Sequence, residues 1–213
     1  MAYDLNAFGL SDMTRLGTAV RSVGATATSM EQVADALVHH LYESFLDAES
    51  GAPVSALVRL YLTIAFEELD AELQAFALAR QESAVLAGHT RCLTLLASAG
   101  EEPEWIDRRR SQAHRAIPLP SPTTVESIPM VSQLLKQLGV DVSAVLTPDP
   151  KLLLELEQKT YNVFFVEEAE ESPHIPAQDD FVIPYRIRSV LGFGGLLPTG
   201  NVFAILMFTK TPI

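Results

Sequence analysis

SVLGFGGLLPTGNVFAILMFT, spanning residues 189–209, indicates two β-strands joined by a tight turn. Apolar and β-branched residues lie on both sides of residues 198–201, where glycine and asparagine tolerate the positive φ angles that hairpin turns need. We therefore predict that strands over residues 181–193 and 202–209 form a closing β-hairpin.

The glycines of this stretch also match the composition of a phosphate-binding loop, because glycine lets backbone N–H groups approach an anion closely. A Walker loop, however, needs Gly-Lys-Ser/Thr followed by a helix, and a dinucleotide fingerprint opens a helix. Here GFGGLLPTGN runs into the strand-like sequence VFAILMF. We interpret the glycines as bulges and a turn within the hairpin: Gly192, Gly194, Gly195 and Gly200.

Hydrophobic periodicity upstream predicts helices interleaved with strands. Ser29 and Gln32 form a capping-box pattern that opens a helix over residues 29–48. The remaining predicted helices and strands, in chain order, are a strand over 54–63, a helix over 66–81, a strand over 89–99, helices over 125–139 and 151–159, and a strand over 161–166 that is buried on both faces. Residues 101–122 carry four prolines, and we interpret them as an ordered surface crossing.

This order of helices and strands predicts one α/β (α+β) domain over residues 29–213. Residues 1–28 are predicted to be a mobile lead-in with a short helix. No basic segment precedes an apolar one at the start, and no run approaches about 18 apolar residues, so we expect neither a secretory signal nor a membrane span.

Charge and cysteine content restrict the partners and the compartment. The formal net charge of −12, from 27 acidic and 15 basic residues, argues against nucleic acid as a partner, because binding to phosphates depends on clustered cations. Cys92 is the single cysteine, which excludes an intrachain disulfide and a multi-cysteine metal site, and it favours a cytoplasmic location. The sequence does not identify a cofactor.

The surface crossing holds the densest basic cluster of the acidic chain. Guanidinium groups bind carboxylates or phosphates bidentately and stack on indole rings, so a small anionic ligand fits this cluster. We place a candidate pocket between the sheet and residues 101–122, with four contact residues: Trp105, Arg108, Arg109 and His114. The alternative is that the arginines pair with neighbouring acids and fix the crossing: Glu101, Glu102, Glu104 and Asp107.

The sequence does not predict a catalytic or metal centre. The histidines are scattered without a metal-ligand spacing, no G-x-S-x-G elbow is present, and Cys92 lies in an apolar run typical of a core. The acids between 167 and 171 are typical of a solvated face. We therefore expect a protein without enzymatic activity; an enzyme using the Arg/His cluster with Asp107 is the lowest-ranked hypothesis.

From about residue 30 to the last residue, the chain resembles the GAF-like input module that precedes bacterial sensor histidine kinases. The resemblance rests on five runs in order: LVRLYLT (57–63), RCLTLLASAGEEPEWIDRRRSQAHRAIPL (91–119), PMVSQLLKQLGV (129–140), YNVFFVEEAEESPHIPAQDDFV (161–182) and RSVLGFGGLLPTGNVFAILMFTKTP (188–212).

The resemblance implies a GAF/PAS-like central antiparallel sheet flanked by helices and preceded by N-terminal helices. It also implies dimerisation through terminal helices and a role as a signal-input module of a two-component system. The apolar stripe of the helix over 29–48 is the predicted dimer surface. No phosphoacceptor helix or ATP-binding segment follows residue 209, so we expect the output to come from a histidine kinase or another signalling partner, or from sequence beyond this chain. A structural interaction domain without a ligand is the alternative.

Overall fold

The computed structural model of the chain describes residues 2–80, 86–148 and 163–213, and within them it has an α+β fold. A six-stranded antiparallel sheet has the strand order β3-β2-β1-β6-β5-β4, with helices against both faces. The elements are α1 (Leu10–Val23), α2 (Met30–Ser44), β1 (Ser55–Ala65), α3 (Ala71–Leu78), β2 (Arg91–Gly100), β3 (Ala116–Leu119), α4 (Pro122–Glu126), α5 (Pro129–Leu138), α6 (Val142–Leu146), β4 (Val163–Val166), β5 (Ser189–Leu196) and β6 (Val202–Thr209). The predicted antiparallel sheet with flanking helices is confirmed.

The two faces of the sheet support separate apolar layers. Face A, the side of β1 that carries Leu57 and Tyr61, packs against α5, α6 and the segment after β4. Face B, the side that carries Val58 and Leu62, packs against α2 and the start of the chain. Because both faces are covered, β1 is buried along nearly its whole length.

A bulge in β2 preserves this division of side chains between the faces. Leu60 pairs with Ala97 and Tyr61 pairs with Leu95, so Leu96 is an extra residue on β2. Leu96 and Ala97 both join the face B layer. As a result Leu95 and Ser98 both point to face A, opposite Tyr61 and Arg59.

The start of the domain follows the predicted capping pattern. The hydroxyl of Ser29 accepts a hydrogen bond from the Gln32 N–H at 3.2 Å and caps α2. Of the predicted apolar stripe of this helix, Leu41 and Phe45 are buried against the sheet of the same chain, whereas Val33 and Leu37 are half-buried. Part of the predicted dimer surface is therefore occupied within the chain. Dimerisation itself stays a prediction.

The lead-in is anchored to the domain. Tyr3 is 4% exposed, its N–H donates to the Ser44 carbonyl, and its ring packs beside Phe8 and Phe45. These contacts join the first residues to the end of α2, and the helix that follows them, α1, is longer than the short helix predicted.

The closing hairpin is confirmed over residues 189–209. β5 and β6 pair without interruption from Ser189 opposite Thr209 to Leu196 opposite Val202, and Gly200 has a φ of 83° in the turn. Since this register is continuous, the strand glycines are not bulges as predicted. Gly192 and Gly194 instead allow the two strands to approach closely.

The structure differs from the prediction at three places in the sheet. Residues 181–188, predicted as strand, form a π-helical turn (Gln178–Val182) followed by turns, with Arg186 at a φ of 54°. β3 lies within the predicted crossing; its proline, Pro118, is tolerated because β3 is an edge strand. β4 is also an edge strand, and Val163 is exposed, so β4 is not buried on both faces.

The predicted helix over 125–139 is two helices, α4 and α5, with Gly139 at a φ of 68° as the C-cap. The helix predicted over 151–159 and the first residues of the strand predicted over 161–166 lie outside the described residues. Among the described helices, none combines the length and the apolar character that crossing a membrane requires.

Candidate functional site

The 101–115 loop connects β2 to β3 and lies along the outer edge of β2. Its ends are tied to the sheet, since the Glu101 N–H donates to the Ala56 carbonyl and the Leu95 N–H donates to the Arg115 carbonyl. Glu101 also forms an ion pair with Lys210, just after β6, and Arg115 forms one with Glu72 of α3 at 2.6 Å. The loop is therefore fixed to β1, α3 and the end of β6.

Two predicted ligand residues, Arg108 and Arg109, meet at one carboxylate. Arg108 Nε donates to Glu31 Oε1 of α2 at 2.8 Å, and Arg109 Nη2 lies 3.5 Å from the same oxygen. The hydrogen bond from Arg108 lowers the pKa of Glu31, and the positive charges of both arginines lower it further. We call these three residues the Glu31 cluster.

The Glu31 cluster borders a cleft of about 430 Å³ between α2 and the loop. The arginines thus fix the loop as the alternative interpretation proposed, but their carboxylate partner comes from α2 and not from the loop itself. The three acids of the cleft outnumber its two arginines, and both arginines already contact Glu31, so an anion competes with Glu31 for the guanidinium groups. The residues lining the cleft are Ser29, Glu31, Gln32, Asp35, Leu96, Asp107, Arg108 and Arg109.

Trp105 does not line this cleft. Its ring packs on face A against Phe181 and Tyr185, with centroid distances of 5.5 and 4.5 Å. It also covers Gly100, where an added Cβ would lie 2.9 Å from Trp105 Cβ. These contacts give Trp105 a packing role that joins the loop to the π-helical turn.

His114 lies at the far end of the loop and is likewise absent from the cleft lining. Its backbone has a φ of 58°. Protein atoms around the ring reduce its hydration and lower the pKa of His114, and the charges of Arg59 and Arg80 lower it further. The four predicted residues therefore divide among three places, and only Arg108 and Arg109 come together.

Arg59 was not among the predicted site residues, yet among the residues that the structure describes it is the one charged side chain that is buried. It is 8% exposed, on face A of β1. Nη1 donates to Tyr61 Oη at 3.3 Å and Nη2 donates to Ser111 Oγ at 3.0 Å, which links the strand to the loop. The signal available in the sequence was a lone cation in an otherwise apolar strand.

The other chemically reactive candidates have ordinary surroundings. Cys92 is buried, as predicted, and burial raises the pKa of its thiol to about 11. The acids predicted to be solvated are exposed: Glu167, Glu168, Glu170 and Glu171. Within residues 2–80, 86–148 and 163–213, no three histidine, cysteine or acidic side chains are grouped as metal ligands would be.

We expect the substitution Glu31→Gln to lower the free energy of unfolding by about 0.5–1 kcal/mol at pH 7. The effect is small because the side chain of Glu31 is 40% exposed and water screens its ion pairs. Because the folded protein lowers the pKa of Glu31, its contribution is complete above the ordinary value near 4.5 and is lost as pH falls through the lowered pKa. Urea unfolding from pH 7 to pH 3 measures this difference.

The matched control is Glu49→Gln, because Glu49 is exposed and forms no ion pair within the described ranges. It should leave stability unchanged at every pH. A wild-type advantage over Glu31→Gln that persists undiminished at pH 3 would contradict the assigned role of the carboxylate.

Comparison with known proteins finds no matching family model, no matching curated protein and no matching solved structure.

Proposed function

We propose that the chain is a cytoplasmic signal-input module, GAF/PAS-like in topology, that binds a small acidic ligand or an acidic partner segment at the Glu31 cluster. It acts without catalysing a reaction, and it passes the signal to a histidine kinase or another output partner. The antiparallel sheet with helices on both faces supports this proposal.

The observation that carries the proposal is the contact of two arginines with one carboxylate across a cleft. Glu31 belongs to α2 and the arginines to the 101–115 loop, so the ion pairs join two elements that the backbone does not connect directly. A ligand carboxylate or phosphate that replaced Glu31 would bind the guanidinium groups and release α2 from the loop. Ligand binding would thereby change the attachment of the N-terminal helices.

The experiment is a thermal-shift screen of the full chain against nucleotides and acidic metabolites. We expect an acidic ligand to raise the Tm of the wild type by a few degrees, about 2–4 °C for each kcal/mol of binding free energy. Arg108→Ala combined with Arg109→Ala should abolish this shift. Arg110→Ala is the matched control, because Arg110 is an exposed arginine of the same loop that does not line the cleft.

An equal ligand shift in the double variant and the wild type would remove the Glu31 cluster as the site. A chain that responds to no compound and sediments as a dimer would favour the second candidate function, a structural interaction domain. One observation supports that candidate: Leu10 and Met13 of α1 are 79% and 59% exposed on one side of the helix.

A further inference from the structure

The guanidinium of Arg59 has too few acceptors for a buried cation. Its two recorded hydrogen bonds go to uncharged hydroxyls, and Nε has no partner. None of the ion pairs within the described ranges includes Arg59. A buried charge that no opposite charge compensates is strongly destabilising, so its surroundings favour a counter-charge.

The groups next to Arg59 are hydrogen-bond donors. Ser98, at 0% exposure, lies directly opposite Arg59 on β2, and its Oγ also has no partner. Side chains paired in this way have Cβ atoms about 5 Å apart on the same face of the sheet. Tyr61 Oη accepts from Arg59, which leaves its own hydrogen for another acceptor.

We propose that Arg59, Tyr61 and Ser98 bind a small monovalent anion beneath the 101–115 loop, of the size of chloride or of a single carboxylate group. One cation compensates one negative charge, and the site offers an N–H and two hydroxyl donors. Ser111 closes the site from the loop, because its Oγ accepts from Arg59 and donates to the Ala113 carbonyl at 2.9 Å. This site is separate from the Glu31 cluster, so the failure of either proposal leaves the other intact.

The test compares thermal unfolding of the full chain in sodium chloride and in sodium gluconate at equal ionic strength, since gluconate is too large for the site. For a Kd of about 1 mM, raising chloride from about 1 to 100 mM should raise the Tm of the wild type by about 5 °C or more. Formate should act as chloride does. Arg59→Met, which keeps the length and removes the charge, should show no difference between the salts.

Arg110→Met is the matched control, because it removes an exposed arginine of the covering loop that lines neither site and should keep the full chloride response. Equal responses in the wild type and Arg59→Met, or no difference between chloride and gluconate in the wild type, would overturn the proposal. If Arg59→Met does not fold, the test is the ³⁵Cl NMR line width of chloride in the presence of the protein. The wild type should broaden the chloride signal at least about twofold more than Ser98→Ala, whereas equal broadening would overturn the site.

Discussion

Replacing Gly194 with alanine is expected to lower the free energy of unfolding by about 3 kcal/mol, the largest single effect we predict. Gly194 lies in β5 opposite Ala204, and a Cβ added there would lie 2.2 Å from the carbonyl oxygen of Phe203. The obstructing atom belongs to the backbone of the paired strand, so relief requires the hairpin itself to shift. Urea unfolding followed by circular dichroism measures the loss.

Gly17→Ala is the matched glycine control. Gly17 lies inside α1, and the nearest atom to its added Cβ is Arg21 Nη1, at 3.7 Å, the end of a flexible side chain. Alanine there should stabilise the protein by about 0.5–1 kcal/mol, because it removes the helix penalty of glycine. If Gly194→Ala unfolds at the same urea concentration as the wild type, the close approach of β5 and β6 is not as described.

Trp105→Ala is expected to cost about 2–3 kcal/mol, less than a fully buried tryptophan would, because Trp105 is only half-buried. The change removes the aromatic contacts to Phe181 and Tyr185 and uncovers Gly100. Trp105 is a packing residue in this structure, so the substitution should lower the Tm while any ligand response of the Glu31 cluster persists. Thermal unfolding with and without ligand measures both effects.

Trp105→Phe separates aromatic packing from indole chemistry. Phenylalanine keeps a ring against Phe181 and Tyr185, so we expect it to recover most of the stability lost in the alanine variant. A ligand response that disappears in both variants while stability is retained in Trp105→Phe would instead identify the indole as a ligand contact.

Sequence patterns correctly predicted the features that depend on residues close together in the chain. Ser29 caps α2 as its spacing with Gln32 indicated, and the alternation around Val58 and Leu62 marked β1 to within two residues of its ends. The turn of the hairpin at residues 198–201 followed from residue types that accept a positive φ. Each of these features depends on neighbours within a few positions along the chain.

The errors arose where tertiary context overrides the local pattern. Pro118 indicated that its segment was not a strand, because proline lacks the N–H that pairs with a neighbouring strand. β3 is an edge strand, however, so proline is tolerated where its N–H would point away from the sheet. Val182 and Ile187 were predicted to be strand residues. Both are buried, but Val182 belongs to a π-helical turn and Ile187 to the segment that follows it. Proline at position 184 and the positive φ of Arg186 fit a series of turns better than a hydrogen-bonded β-strand.

The candidate sites were harder to predict because their partners are distant in sequence. Nothing near Arg108 indicates that its acid is Glu31, 77 positions away. Arg59 was overlooked because alternation with apolar neighbours suggests an outward-facing side chain, whereas in this sheet both faces are covered. Alternation along a β-strand shows which face of the sheet a side chain lies on. It does not show whether that face is exposed to water.

The strand order also governs how the protein folds. β1 pairs with β6 at the centre of the sheet, while β2 and β3 follow β1, and β4 and β5 precede β6 along the chain. Each half of the sheet can therefore assemble from nearby segments, but the central seam closes only when residues 202–209 have left the ribosome. Such long-range closure is typical of slow folding, in the range of about milliseconds to seconds. Until then the apolar edge of β1 is unpaired, and in the cell it is the surface that chaperones would need to protect.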